Sequence, residues 1–246
     1  MFISTDLLIV FFAAIPIGII AIVLGGTMFL SLPLFQLLYP TLTMGAIVGN
    51  IKVGSVFRNI TAVIPLWKEI HLKDLLIPAI PLILGSICGA LGIAYLSQKF
   101  ILPALLIAIL LTEFASKISK YITPKIYFIV ALAAGIFGGI LGAGISLIII
   151  SLVRIRIHDD NKIFQVRAHG ILLELLSTVA AVVVFAFSGV LITSLWIAWT
   201  LGAIIGGYIG GYIIKYTGKC SPLLQKWLMR LMFVVAIAIA GYKFIS

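Results

Sequence analysis

The chain has 246 residues, 63% of them hydrophobic and 10% charged, with a mean hydropathy of +1.31. So little polar surface excludes a soluble domain of this size, and the long uncharged runs define a polytopic membrane protein with lipid as its solvent. A formal charge of +10 would suggest nucleic acid as partner of a soluble protein, but here it reflects Lys and Arg gathered in loops, and no nucleic-acid partner is expected.

In chain order the apolar segments are 6–39, 42–66, 75–97, 100–116, 124–153, 163–188, 190–214 and 222–244. They divide into a first repeat, 1–120, and a second, 121–246, which together form one all-α transmembrane domain. Residues 1–10 contain Asp6 and no Lys or Arg, so the first segment lacks the basic start of a cleavable signal and is expected to persist. A crossing takes about 20 helical residues; most segments fit, with 100–116 near the lower limit. Segments 6–39 and 124–153 run to 34 and 30 residues, each with a glycine cluster a little past its middle. A straight helix of the greater length would reach about 51 Å. Gly25, Gly26 and Thr27, and likewise Gly142 to Gly144, therefore read as the bends of two V-shaped helical hairpins, because glycine turns where other residues strain.

The two long segments are versions of one another. GIIAIVLGGTMFLSLPL from Gly18 aligns with GIFGGILGAGISLIIIS from Gly135 at an offset of 117, which also pairs Gly85 with Gly202, Gly89 with Gly206 and Tyr95 with Tyr212. If all eight segments crossed once, the loop Lys and Arg would split six against seven. With the long segments as hairpins that enter and leave on one side, eleven fall on one face and only Lys99 and Lys243 on the other. That asymmetry satisfies the positive-inside rule and places both termini outside a cell membrane. Each half then has three full crossings, so the second is inverted relative to the first, a plan common among secondary transporters. Two ordinary kinked helices are the alternative.

A bend inside the membrane frees backbone groups, which are tolerated only where protein buries them or water lines them. The second arms, starting near Met28 and Ile145, point N–H groups at the bends, an arrangement that favours an anion. Gly25, Gly26, Thr27, Gly142, Gly144 and Ser146 are thus candidate substrate contacts. Gly85/Gly89, Gly206/Gly210 and Gly207/Gly211 read instead as close helix packing.

Polar residues within apolar segments are costly and face the bundle interior. VGNIKVGSVFRNITAV supplies Asn50, Lys52, Ser55, Arg58 and Asn59, with Lys52 near mid-span; VRAHGILLELLST supplies Arg167, His169, Gly170, Glu174 and Ser177. Asn50, Lys52, Arg58, His169 and Gly170 join the candidate substrate site, and Glu174, His169 and Arg167 are candidates for proton or cation coupling or for ion pairing. The excess of positive charge favours an anionic substrate; a Lys52 or Arg58 to Glu174 ion pair that only fixes packing is the alternative. Arg230 reads as a snorkelling interface residue, and Trp67, Trp196, Trp199 and Trp227 as aromatic belts. Cys88 and Cys220 have no metal spacing.

Two repeats that each open with a glycine-rich hairpin, GGTMFLSLPLF and GGILGAGISLI, each followed by a helix beginning near VGN or AHG, resemble the TauE/SafE family of membrane permeases, exporters of sulfite and organosulfonates. The resemblance covers nearly the whole chain. It departs at Ile150, where the first hairpin has Pro33, and at Thr27, where a third glycine is common. It implies a permease for small sulfur-containing anions, and the inverted halves lead us to expect alternating access around a midplane site. A passive anion channel and a non-transporting membrane subunit are the other classes. No HExxH, nucleophile elbow or phosphate loop is present, so neither an enzyme nor a cofactor is expected. A homodimer is one option for assembly.

Overall fold

The computed structural model describes residues 5–26, 28–71, 73, 75–94, 96–119, 122–123, 126–142, 146, 148–150, 152–153, 163–217, 227, 230–231, 233–235 and 237–238. Thr27, Gly144, the loop 154–162 and most of the predicted segment 222–244 lie outside the described residues. The helices are α1 (Thr5–Leu24), α2 (Met28–Leu38), α3 (Met44–Val63), α4 (Leu76–Ile93), α5 (Ile101–Ser119), α6 (Tyr127–Ile140), α7 (Ile163–Phe187) and α8 (Thr193–Thr217), with a 3-10 turn at Ile64–Glu69 after α3. Among the described residues, five helical stretches are long and apolar enough to cross a membrane, and Met28–Leu38 and Tyr127–Ile140 are shorter apolar helices.

Exposure runs opposite to that of a soluble protein. Phe12, Leu76, Ile80 and Phe187 are exposed, while Asn50, Lys52, Ser55, Arg58 and Asn59 of α3 are buried. This is what lipid requires, since apolar side chains cost nothing there and polar ones must find partners inside. Helix α3 is the central element. Thr43 caps its start by accepting from the Ala46 N–H at 3.2 Å, the preferred role of a hydroxyl at that position.

Both glycine clusters break a helix. Gly25, Gly26 and Gly142 have φ of +87°, +84° and +72°, the left-handed region that side chains disfavour. The Gly142 N–H reaches back to the Phe137 carbonyl at 3.3 Å, the wrap that closes a helix on a left-handed residue. After the second break the chain returns toward its own start: the Tyr127 hydroxyl donates to the Leu152 carbonyl at 3.3 Å, a pair that a straight helix would separate by about 37 Å. After the first, Phe35 of α2 meets the Trp199 ring at a centroid distance of 5.1 Å, and one turn along α8 a side chain at Gly202 would strike the Phe11 carbonyl near the start of α1.

Two helix pairs form the frame. Gly202, Gly206 and Gly210 of α8 face Phe11, Ile15 to Ile19 and Ile22 of α1, so these helices run parallel. Gly85 and Gly89 of α4 face Leu132 to Ile136 and Ile136 to Ile140 of α6, again in parallel. A Cβ at Gly89 would stand 2.0 Å from the Ile136 carbonyl oxygen, and at Gly206 2.4 Å from that of Ile15, so backbone packs on backbone as small residues allow. Helix α3 also runs parallel to α8, with Gly54 against Trp199, Arg58 against Gly207 and Ala62 against Gly211. Its start meets the end of α4, where the Met44 N–H donates to the Leu96 carbonyl, so the two pairs point in opposite directions. The offset of 117 pairs Gly85 with Gly202, but Gly85 occupies against α6 the place that Gly206 occupies against α1.

Trp199 departs from the expected belt. It is 1% exposed, because Gly54 leaves a slot on α3 and Phe35 closes it edge-on. Trp67 and Trp227 are exposed. Arg230 is paired, its guanidinium 2.5 Å from the Glu113 carboxylate.

Candidate functional site

The two hairpin bends meet in the middle of the bundle. A Cβ at Gly25 would stand 3.2 Å from Cβ of Ser146, the first described residue after the second bend. Around this contact α3 and α7 supply the polar groups. Lys52, on the buried face of α3, donates from Nζ to the Gly138 carbonyl at 2.6 Å. That carbonyl lies in the last turn of α6, where the break at Gly142 has removed its helical donor, and where a cation is favoured by the helix dipole. No carboxylate lies within salt-bridge distance of Lys52 among the described residues.

Arg58, almost fully buried, is satisfied differently. Its Nη2 donates to Glu174 Oε1 at 2.9 Å and to Asn59 Oδ1 at 2.8 Å, and its Nε donates to Asn59 Oδ1 at 3.0 Å. The other carboxylate oxygen of Glu174 accepts from Ser146 Oγ at 2.9 Å. Glu174 therefore ties α3, α7 and the second hairpin together.

Two small cavities, each of about 20 Å³, flank this tie; each has room for about one water. One is lined by Met28, Lys52, Ser55, Gly142, Glu174 and Thr178, with Gly138 and Ser177. The other is lined by Ala21, Gly25, Ser146, Arg167, Gly170 and Glu174, with neighbouring isoleucines. Glu174 is common to both. Arg167 donates from Nη1 to the Val23 carbonyl at 3.1 Å, at the C-terminal end of α1, a favourable place for a cation.

Of the residues expected at the site, Gly25, Lys52, Gly142, Ser146, Arg167, Gly170 and Glu174 line one cavity or the other, and Arg58 holds Glu174. Gly26 forms the first bend behind Gly25, and Thr27 and Gly144 lie outside the described residues. Asn50 and His169 sit away from both cavities. Asn50 pins the α7–α8 turn, donating to the Ala46 carbonyl at 2.6 Å and accepting from the Ile192 N–H at 2.9 Å. His169 is fully buried at the other end of α3, with Nδ1 2.6 Å from the Gln165 carbonyl and Nε2 accepting from the His71 N–H at 3.0 Å. Both ring nitrogens are taken up, Nδ1 within α7 and Nε2 in holding α7 to the segment after the 3-10 turn. Sequence reasoning did not reach Met28, Gly138 or Thr178. Thr178 is four residues beyond Glu174 and so shares its helix face, the one signal that would have found it.

Discontinuous helices that meet inside the bundle, around a buried cation and ion pair, are the plan of many multi-pass membrane transporters. The family model described as sulfite exporter TauE/SafE matches residues 10–243, and the chain belongs to that family. No match was found among curated proteins or solved structures.

Proposed function

We propose that this protein is a secondary transporter of small anions, sulfite, organosulfonates or related sulfur-containing organic acids, moved by alternating access around the site between the two bends. One observation carries the reading: Lys52, 3% exposed, directs its ammonium into a cavity in company with Ser55, Gly142 and Thr178, without a carboxylate salt bridge among the described residues. A buried cation kept unpaired in a membrane is costly and marks a place for a mobile counter-charge. Family membership and the opposite directions of the two helix pairs support the transporter and inverted-repeat parts of the reading. Substrate binding falls to Lys52, with Ser55, Thr178 and the bend glycines shaping the cavity; Glu174 is the group for coupling to a proton or cation. The loops 117–125 and 154–162 lie on the cytoplasmic side of a cell membrane, with both termini outside.

The test is uptake of radiolabelled sulfite, sulfoacetate and acetate into proteoliposomes, with and without a pH gradient, by wild type and Lys52→Met. Concentrative uptake of a sulfur oxyanion that collapses in the variant is expected. Flux that only follows the anion's own electrochemical gradient would make the protein a channel, and no flux of any of the three would remove this substrate class. Cysteine labelling that places 154–162 and 117–125 on opposite faces would overturn the topology.

A further inference from the structure

The charges around the site are divided in an informative way. Arg58 and Glu174 neutralise each other across 2.9 Å, and Arg167 lies beyond Glu174, on the carbonyl end of α1. Among the described residues, Lys52 is the cation of the cavity lining that has no carboxylate within salt-bridge distance, though it shares the cavity with Glu174. An anion entering beside Lys52 therefore feels one net positive charge, with the Glu174 carboxylate facing the same space and repelling it. In a dry interior such terms are not screened as they are in water, and they scale with the charge of the entering ion. A doubly charged anion gains twice from Lys52 but is repelled twice by Glu174, and once Lys52 is neutralised its second charge has no partner and bears the cost of burial.

We infer that Glu174 sets the charge of the transported anion, admitting one net negative charge and discriminating against two. This rests on the anion site proposed above and adds to it a specificity-determining residue. Removing the carboxylate while keeping its shape frees the Arg58 charge to act on the cavity, so affinity for a dianion rises more than affinity for a monoanion. Removing both charges restores the original balance, with Lys52 again alone. Charge sum, not residue identity, is the controlling quantity.

The probes are ethanesulfonate and ethanedisulfonate, whose charges do not change over the working pH range. Their binding to the purified protein is read from thermal stabilisation, and their uptake by competition in proteoliposomes, in wild type, Glu174→Gln, Arg58→Gln and the Arg58→Gln/Glu174→Gln double variant. The expected result is a dianion-to-monoanion affinity ratio raised at least tenfold in Glu174→Gln and returned to within about threefold of wild type in the double variant. If Glu174→Gln does not fold, the same rise is expected on going from Arg58→Gln to the double variant, in which no buried charge of the pair is left alone. A ratio that stays within twofold across these variants, while either sulfonate still binds, overturns the role of Glu174 and leaves the anion site standing. Wild-type protein that binds neither sulfonate overturns the anion site itself and this inference with it.

Discussion

Replacing Lys52 by Met should abolish transport without weakening the fold, and the structure lets both sides of that balance be estimated. Lys52 is 3% exposed and, among the described residues, its ammonium makes one hydrogen bond, 2.6 Å to the Gly138 carbonyl. Removing that donor and leaving the buried carbonyl unsatisfied costs about 1–3 kcal/mol. Against this stands the cost of holding an ammonium out of water with no carboxylate at salt-bridge distance among the described residues, an effective several kcal/mol. Met has nearly the same length and no polar atom to satisfy, so packing is retained. The net change should lie between zero and about 3 kcal/mol in favour of the variant. Thermal unfolding of the purified protein in detergent, in the absence of anions, should show a midpoint equal to or above that of wild type, while uptake falls to background. A midpoint that drops by the equivalent of about 2 kcal/mol would mean that Lys52 is a structural tether for the second hairpin.

The ion pair should behave in the opposite way: Arg58→Ala or Glu174→Ala leaves its partner charge buried and should cost about 3–5 kcal/mol, whereas Arg58→Met/Glu174→Met should recover most of that loss, as read by the same unfolding assay. Gly142→Ala forces a side chain into φ +72° and sets a Cβ 3.2 Å from the Lys52 ammonium; it should cost about 1–2 kcal/mol in stability and weaken anion affinity as well. Gly89→Leu must push α4 off α6, since its Cβ would stand 2.0 Å from a carbonyl oxygen, and should prevent recovery of folded protein, while Gly92→Ala, with nothing within 4 Å, should change the unfolding free energy by no more than about 1 kcal/mol.

What the sequence reveals of this molecule follows from where its signals are local. Gly25, Gly26 and Gly142 announce the helix breaks because only glycine takes the left-handed backbone at no cost, and two such clusters within apolar runs have few other uses. Lys52, Arg58 and Glu174 announce themselves because lipid makes each of them costly. The pairing among them does not show in the sequence: either cation at α3 spacing could reach Glu174, and only the packing gives Glu174 to Arg58 and the Gly138 carbonyl to Lys52. A backbone carbonyl freed by a helix break carries no residue signature. Asn50 and His169 have the composition of ligands, yet their partners are backbone groups of distant loops. Trp199 looks like an interfacial aromatic until Gly54 is placed opposite it, and the one-turn slip that aligns Gly85 with Gly206 stays hidden because glycines recur every four residues in both helices.

The contrast between the strong and weak contacts shows where motion can occur. Within the α1–α8 and α4–α6 pairs, glycines bring backbones to distances at which no side chain fits, so neither pair can slide or separate without losing dense contact. Between the pairs, the bends approach at Gly25 and Ser146, and the side-chain bridge Arg58–Glu174–Ser146 joins α3 to the second bend. Each flanking cavity has room for about one water, too little for a sulfonate headgroup, so the proposed transport would require loading to part these contacts rather than deform the pairs. A carboxylate that already occupies the guanidinium is well suited to that role, because on the proposed reading an arriving anion would compete for the same charge and loosen the bridge. Under the proposed role of Glu174, coupling of occupancy to opening requires no long-range path, because the group that senses the anion's charge is also the group that ties α3 to the second bend.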